Sequence, residues 1–489
     1  MRLSALIDGG DIVVAPGAAD VDVLGLTADS RDCGPDFLFA ALPGMRTDGS
    51  KYIADAVARG ASCVLTTPEG AAEAERHDVA LLVSDNPRSS LASLAARFFG
   101  AMPERAVAVT GTNGKTSVAV FCAQLWRSLG FKSAAVGTLG VCGNGYRAGL
   151  AHTTPEPVTL HRVLADLAAR DFRRVAMEAS SHGLDQHRLD GMRFAAAGFT
   201  NLTQDHYDYH PTIEAYRLAK YSLFDLVEPG GVAALNADSA EFGSLAKVCR
   251  DRGLHVVGFG RTGQDLTLVE ARHRGDVQLL TIEAEGRRID TELPLPGRFQ
   301  AMNALCAAAM VAGSDHIALA EVLEHLPKLA GVRGRLEHVA RHPRGGPIFV
   351  DYAHTPDALE TVLSEVRPAV TGELFVVFGC GGDRDRDKRA RMGAIAARLA
   401  DRVYVTDDNP RSEEAAAIRD DIMAGCPDAT NIAGRAEAIR AAIAAMAEGD
   451  VLVVAGKGHE QGQIVGDQVL PFDDGEQVRR AVDDLGRAA

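Results

Sequence analysis

The chain's 489 residues are too many for a single hydrophobic core and suit roughly three domains. With 46% apolar and 24% charged residues it reads as a globular protein, and its net charge of −15 argues against sequence-independent binding of nucleic acid, which needs lysine and arginine against phosphates. No run of about 18 apolar residues occurs, so no membrane span or membrane partner is expected. The N-terminal "MRLSALIDGGDIVV" is broken by Asp8 and Asp11 and lacks the long apolar region of a signal peptide, so a cytoplasmic location is expected. The eight cysteines (Cys33, Cys63, Cys122, Cys142, Cys249, Cys306, Cys380 and Cys426) form no Cys-x-x-Cys pair. Neither a zinc site nor a disulfide framework is expected from them.

In chain order, the first hundred residues hold strand-like runs "CVLTT" at 63–67 and "ALLVS" at 80–84, with helical "YIADAVARG" among them. Met102-Pro103 precedes a new strand and marks a first boundary, giving a segment 1–103. From 106 to about 225, buried strands "AVAVT", "SAAVGT", "RVAMEAS" and "AAAGFTNL" alternate with helices, a pattern that implies a parallel sheet covered on both faces. Residues 264–295 read instead as short antiparallel strands with a turn near Gly286, followed by a buried, alanine-rich helix in "FQAMNALCAAAMVAG". A second boundary near Pro327–Arg335 separates a segment 104–327 from 328–489. Beyond it "PIFVDY", "LFVVFG", "RVYVTDD" and "DVLVVAG" are strands, each followed by helical sequence. The fold class is α/β: a small N-terminal unit, a central phosphate-loop sheet with an antiparallel addition, and a Rossmann-like C-terminal unit.

One stretch carries chemistry by itself. In "VAVTGTNGKTS", at 107–117, a strand runs into Gly111-Thr112-Asn113-Gly114 and a helix starts at Lys115. Glycines let backbone N–H groups wrap phosphate oxygens, and the helix N-terminus faces the same anion. Lys115 offers a point charge to the β- and γ-phosphates, Thr116 a hydroxyl for Mg²⁺, and Ser117 a further hydroxyl. The longer eight-residue phosphate-loop pattern is incomplete, since its first glycine would fall at Val109.

"GTNGKTS" resembles the ATP loop of the Mur ligases and folylpolyglutamate synthases. The other segments that carry the resemblance follow in family order: "MEASSHGLDQHRL" at 177–189, "NLTQDHYDYH" at 201–210, "YRLAKYSLF" at 216–224, "VDYAHTPD" at 350–357, "GCGGDRDRDKR" at 379–389, "TDDNPRSEE" at 406–414 and "AGKGHEQGQ" at 455–463. Near the N-terminus "DSRDCGPDFLFAALPGMRTDG" matches as well, so the resemblance spans nearly the whole chain.

The resemblance implies a three-domain enzyme that binds ATP, forms an acyl phosphate and releases ADP and phosphate. The implied substrates are small molecules: UDP-N-acetylmuramoyl-L-alanyl-D-glutamate and meso-2,6-diaminopimelate, with L-lysine as the alternative amino acid. A monomer is expected. Thr116, Glu178 and His206 are the implied Mg²⁺ network. Lys220 is the implied carbamylated lysine, whose CO₂-derived oxygens would hold a second ion; with Lys115, Glu178 and His206 it makes the implied catalytic set.

Asn303, Arg335, Asp351 and His354 are implied to close around adenine, ribose and phosphate. Thr153, Thr154, Ser180, Gln186 and Arg188 are implied to grip the muramoyl dipeptide, and Ser30 in "DSR", with the Gly44–Gly49 loop, the uridine diphosphate. Arg384, Asp408, Asn409, Pro410, Arg411, Gly456 and Glu460 are implied to form the amino-acid pocket. Arg411 matters most there, because a guanidinium can grip the distal carboxylate that lysine lacks. Three positions depart from common family residues: Ser117 where Thr is common, His152 before Thr153, and Gln300 upstream of Asn303.

Overall fold

The computed structural model describes residues 1–7, 12–14, 21–44, 47–203, 209–274 and 277–488. Among them three sheets and one separate hairpin stand out. The first sheet has five strands, in the spatial order Val13–Val14, Ala80–Val83, Ala61–Thr66, Phe37–Ala40, Gly25–Thr27, parallel except for the first. No helix of the described residues is long and apolar enough to cross a membrane.

The central sheet has eleven strands. Its parallel heart runs Ser133–Gly137, Arg174–Glu178, Arg105–Thr110, Phe194–Phe199, Val227–Asn236 and His255–Gly260. One edge continues through Leu266–Arg274, Val277–Ala284 and Arg287–Leu293, which pair antiparallel and turn at Glu285-Gly286, as the sequence pattern of 264–295 implies. The other edge is a hairpin, Gly140–Gly143 with Tyr146–Ala148. Strands with both faces buried read as unbroken apolar runs, which is why "AVAVT" and "FAAAGF" were legible.

The smallness of these residues has a cause. The helices Lys115–Ser128 and Arg298–Asp315 lie close on the sheet, and a Cβ on Gly198 would stand 2.5 Å from Met310 Sδ and 2.9 Å from Cys306 Sγ. Trp126, buried on the first helix, donates Nε1–H to Asp315 Oδ2 at 2.7 Å, and Asp315 Oδ1 accepts from Arg174 Nε at 2.7 Å. The two helices and the sheet are thus tied by a polar network as well as by packing.

The third sheet has six strands, Glu337–Arg341, Pro347–Asp351, Val451–Ala455, Leu374–Phe378, Arg402–Val405 and Thr430–Asn431; only the first pair is antiparallel. Chain order reverses across this sheet, because Val451–Ala455 inserts between Pro347–Asp351 and Leu374–Phe378. Such a switch opens a crevice at the strand C-terminal ends. A hairpin, Gly462–Val465 with Gln468–Pro471, follows.

The first and central sheets meet through the helices Pro87–Phe99 and Pro157–Ala169. Gly191 lies against this seam, where a Cβ would be 2.4 Å from Ala92 O and 2.8 Å from His161 Nε2. His161 is buried, and its Nε2 finds no hydrogen-bond partner. Burial therefore depresses its pKa to about 4, from 6.5. An unfolded chain takes up this proton as pH falls through 6.5, and the native chain does so only near 4, so stability is lost across that window. The loss from His161 between pH 7 and pH 5 is about 2 kcal/mol. His459 shifts to about 4 as well, from burial and then Arg335, and acts in the same direction. Equilibrium denaturation at the two pH values should show a smaller drop for His161→Leu than for the wild type; an equal drop would remove His161 from the account.

Candidate active site

The loop after Arg105–Thr110 has the backbone that its glycines allow. Gly111 and Gly114 have φ of 148° and 91°. A Cβ on Gly111 would lie 1.9 Å from Thr200 Oγ1, and one on Gly114 2.4 Å from Asn303 Oδ1. Neighbouring strand ends hold the loop. Thr200 Oγ1 donates to Asn113 O at 2.6 Å, and Asn113 N donates to Asn201 Oδ1 at 2.9 Å. Lys115 Nζ bends back to donate to Gly111 O and Thr112 O, each at 2.8 Å.

Lys220 enters the same spot from another element. It lies on the helix Ile213–Tyr221, only 1% exposed, and its Nζ donates to Gly111 O at 2.8 Å. The Tyr216 ring sits 4.2 Å below that nitrogen. Two ammonium groups therefore converge on one carbonyl.

Glu178, the last residue of its strand, is 2% exposed. Thr116 Oγ1 donates to its Oε2 at 2.9 Å, and Thr138 donates twice, from N to Oε1 at 2.7 Å and from Oγ1 to Oε2 at 3.1 Å. A Cβ at Gly137 would stand 2.1 Å from Glu178 Oε1, so glycine is required for this approach. Thr138 was not singled out by the sequence reading; its only signal is that it, too, follows the end of a parallel strand.

Thr116 and Glu178 offer hard oxygen donors 2.9 Å apart on the wall of a cavity, the donor chemistry Mg²⁺ takes. Lys220 fits carbamylation: a carbamate nitrogen keeps one N–H for Gly111 O, and its oxygens would add donors to a site otherwise rich in cations. His206 falls outside the described residues.

Arg335 arrives from the chain leading into the third sheet. Its Nη2 donates to Thr116 Oγ1 at 3.0 Å, and its guanidinium lies 4.7 Å from the Tyr352 ring centroid. Guanidinium, hydroxyl and carboxylate thus form a line from Arg335 through Thr116 to Glu178. Asp351 is buried beside it and accepts from Leu336 N at 2.6 Å and Ala353 N at 2.7 Å. Burial pushes its carboxyl up to about 6, against the opposing pull of Arg335 and those two N–H groups.

Asn303 Nδ2 donates to Gln300 Oε1 at 3.1 Å, and Gln300 Nε2 donates to Arg335 O at 3.1 Å. Gln300, the departure from the family residue, therefore ties Asn303 to the segment carrying Arg335. His354 is exposed, with Nδ1 2.8 Å from Tyr352 O.

Lys115, Thr116, Thr138, Glu178, Lys220, Asn303, Arg335, Asp351 and His354 line a cavity of about 660 Å³. It also receives Thr153, Thr154, Ser180 and Arg188. Arg188 donates to Thr154 O at 2.6 Å and to Gln186 Oε1 at 2.7 Å, so Gln186 does not line the cavity itself but bonds a residue that does. Ser30 lines neither this cavity nor the next. It opens a short helical turn capped by Asp29, whose Oδ1 accepts from Arg31 N at 2.9 Å. The Arg31 guanidinium holds the Asp29 carboxyl down at about 2.

A second cavity, about 1030 Å³, sits at the switch point of the third sheet. Arg384, Asp408, Asn409, Arg411, Gly456 and Glu460 all line it. Arg411 has a left-handed φ of 52° and is held from both sides: its N donates to Ile464 O at 3.1 Å and its O accepts from Gly466 N at 2.8 Å. Its Nη1 donates to Gly382 O at 2.7 Å. Pro410 shapes the turn without lining the cavity. The two cavities share His182, Thr203, Tyr352, His354, Thr355 and Asp357 as a common wall.

A phosphate-loop sheet thus opens through a shared wall onto a second, switched α/β sheet. The comparisons take this further. Family models match along the chain: "Mur ligase family, catalytic domain" at 22–99, "Mur ligase middle domain" at 109–311, and "Mur ligase, glutamate ligase domain" at 334–458. A UDP-N-acetylmuramoyl-L-alanyl-D-glutamate–2,6-diaminopimelate ligase of Agrobacterium fabrum is 50% identical over 466 residues, 95% of this chain and 94% of that protein. A solved structure of a ligase of the same name superposes with a TM-score of 0.72 at 30% identity, covering 99% of both chains. An ADP complex of Mycobacterium tuberculosis folylpolyglutamate synthase, 19% identical with a TM-score of 0.62 over 75% of this chain and 91% of that one, shares the fold. The chain belongs to the Mur ligase family.

Thr138→Val keeps the side chain's shape and removes one hydroxyl bond from Glu178. If Glu178 holds Mg²⁺, as the family resemblance implies, its hydrogen-bond partners are worth about 10–100-fold in metal affinity or activity. The Mg²⁺ concentration giving half-maximal phosphate release should rise by that order, with nucleotide affinity in the absence of Mg²⁺ little changed. An unaltered Mg²⁺ dependence would show that Glu178 needs no such orientation.

Proposed function

We propose that this chain joins meso-2,6-diaminopimelate to UDP-N-acetylmuramoyl-L-alanyl-D-glutamate, converting ATP to ADP and phosphate, as a step of peptidoglycan precursor synthesis. The observation that carries the reading is Arg411, held by backbone bonds on both sides in a pocket open to the phosphate-loop cavity. The diaminopimelate ligases at about half identity over nearly the full chain support it. Residues 1–103 would hold the UDP end of the acceptor, 104–327 ATP, and 328–489 the amino acid.

The chemistry follows from charge. The glutamyl carboxylate attacks the γ-phosphorus of ATP, ADP leaves, and an acyl phosphate forms. The amine of the amino acid then attacks the acyl carbon, a tetrahedral intermediate collapses, and phosphate departs as the amide forms. Bringing a carboxylate to a triphosphate sets two anions together, so the site must be cationic. Lys115 and Arg335 supply fixed positive charge beside the loop, whose N–H groups and helix N-terminus face the phosphates. Mg²⁺, held by Thr116, Glu178 and His206, with a carbamylated Lys220 for a second ion, would neutralise phosphate oxygens. Thr154, Ser180 and Arg188 orient the dipeptide so that its carboxylate faces the loop, and Asn303 and Asp351 place the nucleoside.

In the second cavity Arg411 pairs with the distal carboxylate of diaminopimelate and Glu460 with the distal ammonium. Arg384 stands at the opening, and Gly456 leaves room beside Asp408, whose Oδ2 would be 2.8 Å from any Cβ there. L-lysine, the alternative amino acid, would leave Arg411 unpaired.

Phosphate release measured with each amino acid in turn tests the reading: diaminopimelate should support it and L-lysine should not. Equal rates would reject the specificity, and no release with any amino acid would reject the activity. Lys115→Ala should abolish turnover with unchanged circular dichroism and melting temperature; loss of folding would make the lysine structural. Arg411→Ala should raise KM for diaminopimelate about 10–100-fold, the weight of a charge-assisted bidentate pair, and leave KM for ATP within about twofold. Equal rises in both would place Arg411 outside the pocket's function.

A further inference from the structure

The motif "AGKGHE" contributes Gly456 and Glu460 to the pocket, and the lysine between them has no role in that reading. Lys457 is fully buried, with 0% exposure. It is flanked by two glycines of positive φ. Gly456 and Gly458 have φ of 115° and 55°, and a Cβ on Gly458 would stand 2.8 Å from Tyr352 Cβ. An inward lysine is costly unless its charge is met. Here Nζ donates to Glu460 Oε2 at 3.0 Å and to Asn409 Oδ1 at 2.9 Å.

These bonds fix an orientation. Asn409 Oδ1 also accepts from Ile464 N at 2.9 Å, and Asn409 Nδ2 donates to Glu460 Oε2 at 2.9 Å. An ammonium and a backbone N–H can only donate, and a carboxylate can only accept. The amide therefore has one way round: oxygen toward Lys457, nitrogen toward Glu460. Glu460 Oε2 is then fully engaged by Lys457 and Asn409, and Oε1 has no hydrogen bond within the described protein. The second Nδ2 hydrogen of Asn409 is uncommitted in the same way.

We infer that Lys457 is a positioning residue of the amino-acid pocket: it locks the Asn409 amide and the Glu460 carboxylate so that one acceptor and one donor face the amino acid. That pair matches the ammonium and carboxylate of an α-amino-acid end. Lys457 itself lies behind the cavity and does not line it. The inference rests on the proposed reading of this cavity as the amino-acid pocket.

The test uses the full-length enzyme and whichever amino acid the wild type accepts, so a wrong assignment of diaminopimelate shows in the wild type and leaves the role of Lys457 open to measurement. Lys457→Met keeps the stem and removes the charge. Its KM for the amino acid should rise more than about tenfold, with KM for ATP and for the UDP-linked substrate within about twofold. An unchanged amino-acid KM, or an equal rise in all three, overturns the inference. Should Lys457→Met fail to bind ATP or to fold, Asn409→Asp decides. This substitution keeps the shape and sets a second carboxylate oxygen against Glu460 Oε2, so the amino-acid KM should again rise selectively. If Asn409→Asp leaves that KM unaltered, the amide is not held as argued and the inference falls.

Discussion

Everything at this site depends on gathering positive charge around a short loop without letting it disperse. Lys115 Nζ approaches Gly111 O at 2.8 Å and Arg335 reaches Thr116 Oγ1 from another element, while Lys220 Nζ, also 2.8 Å from Gly111 O, adds positive charge only in its unmodified form. Against them stand two buried carboxylates, Glu178, already engaged by Thr116 and Thr138, and Asp351 beside Arg335. Such a set would repel itself in a flexible chain. It persists because the C-terminal ends of neighbouring parallel strands fix each anchor: Gly111 after Arg105–Thr110, Glu178 at the end of Arg174–Glu178, Thr138 after Ser133–Gly137, and Thr200 after Phe194–Phe199. The sheet's small residues let the helices sit close enough for this, as at Gly198 under Met310 and Cys306.

Much of this was readable before any coordinates. Doubly covered parallel strands must be apolar throughout, so "AVAVT", "LFVVF" and "DVLVVAG" could be placed by inspection. Val227–Asn236 escaped because "VEPGGVAALN" carries Pro229, Gly230 and Gly231 and breaks the run. His255–Gly260 escaped because its apolar residues are few and flanked by glycine. The edge hairpin Gly140–Gly143 and Tyr146–Ala148 is half-exposed and has no continuous apolar face to betray it.

The site divides in the same way. Residues inside the phosphate loop were legible because spacing, glycine and helix onset lie within a few positions. Glu178, Lys220 and Arg411 were legible only through resemblance, since each alone reads as an ordinary surface or snorkelling residue. The contacts of Thr138, Gln300 and Lys457 were not legible, because each reaches a partner side chain or a distant backbone group. Thr138 meets Glu178 forty positions along the chain, and Gln300 meets the Arg335 carbonyl thirty-five along. The burial of Lys457 and its bonds to Asn409 and Glu460 are tertiary features that sequence does not display.

At the site the central and third sheets are joined by polar contacts and by Phe299, which packs against the apolar core of the third sheet. Arg335 bonds Thr116, Gln300 bonds the Arg335 carbonyl, and Asp357 Oδ2 accepts from Thr203 Oγ1 at 3.1 Å and from Asn113 Nδ2 at 3.4 Å. The same groups are those that face the loop where phosphates would lie. A triphosphate that draws Arg335 away from Thr116, or Asn113 away from Asp357, must therefore alter the joint between the sheets as it binds. If a bound triphosphate takes up these groups, chemistry and closure are coupled through the same side chains, and a reactive acyl phosphate is best kept from water by an enclosure that its own substrates complete.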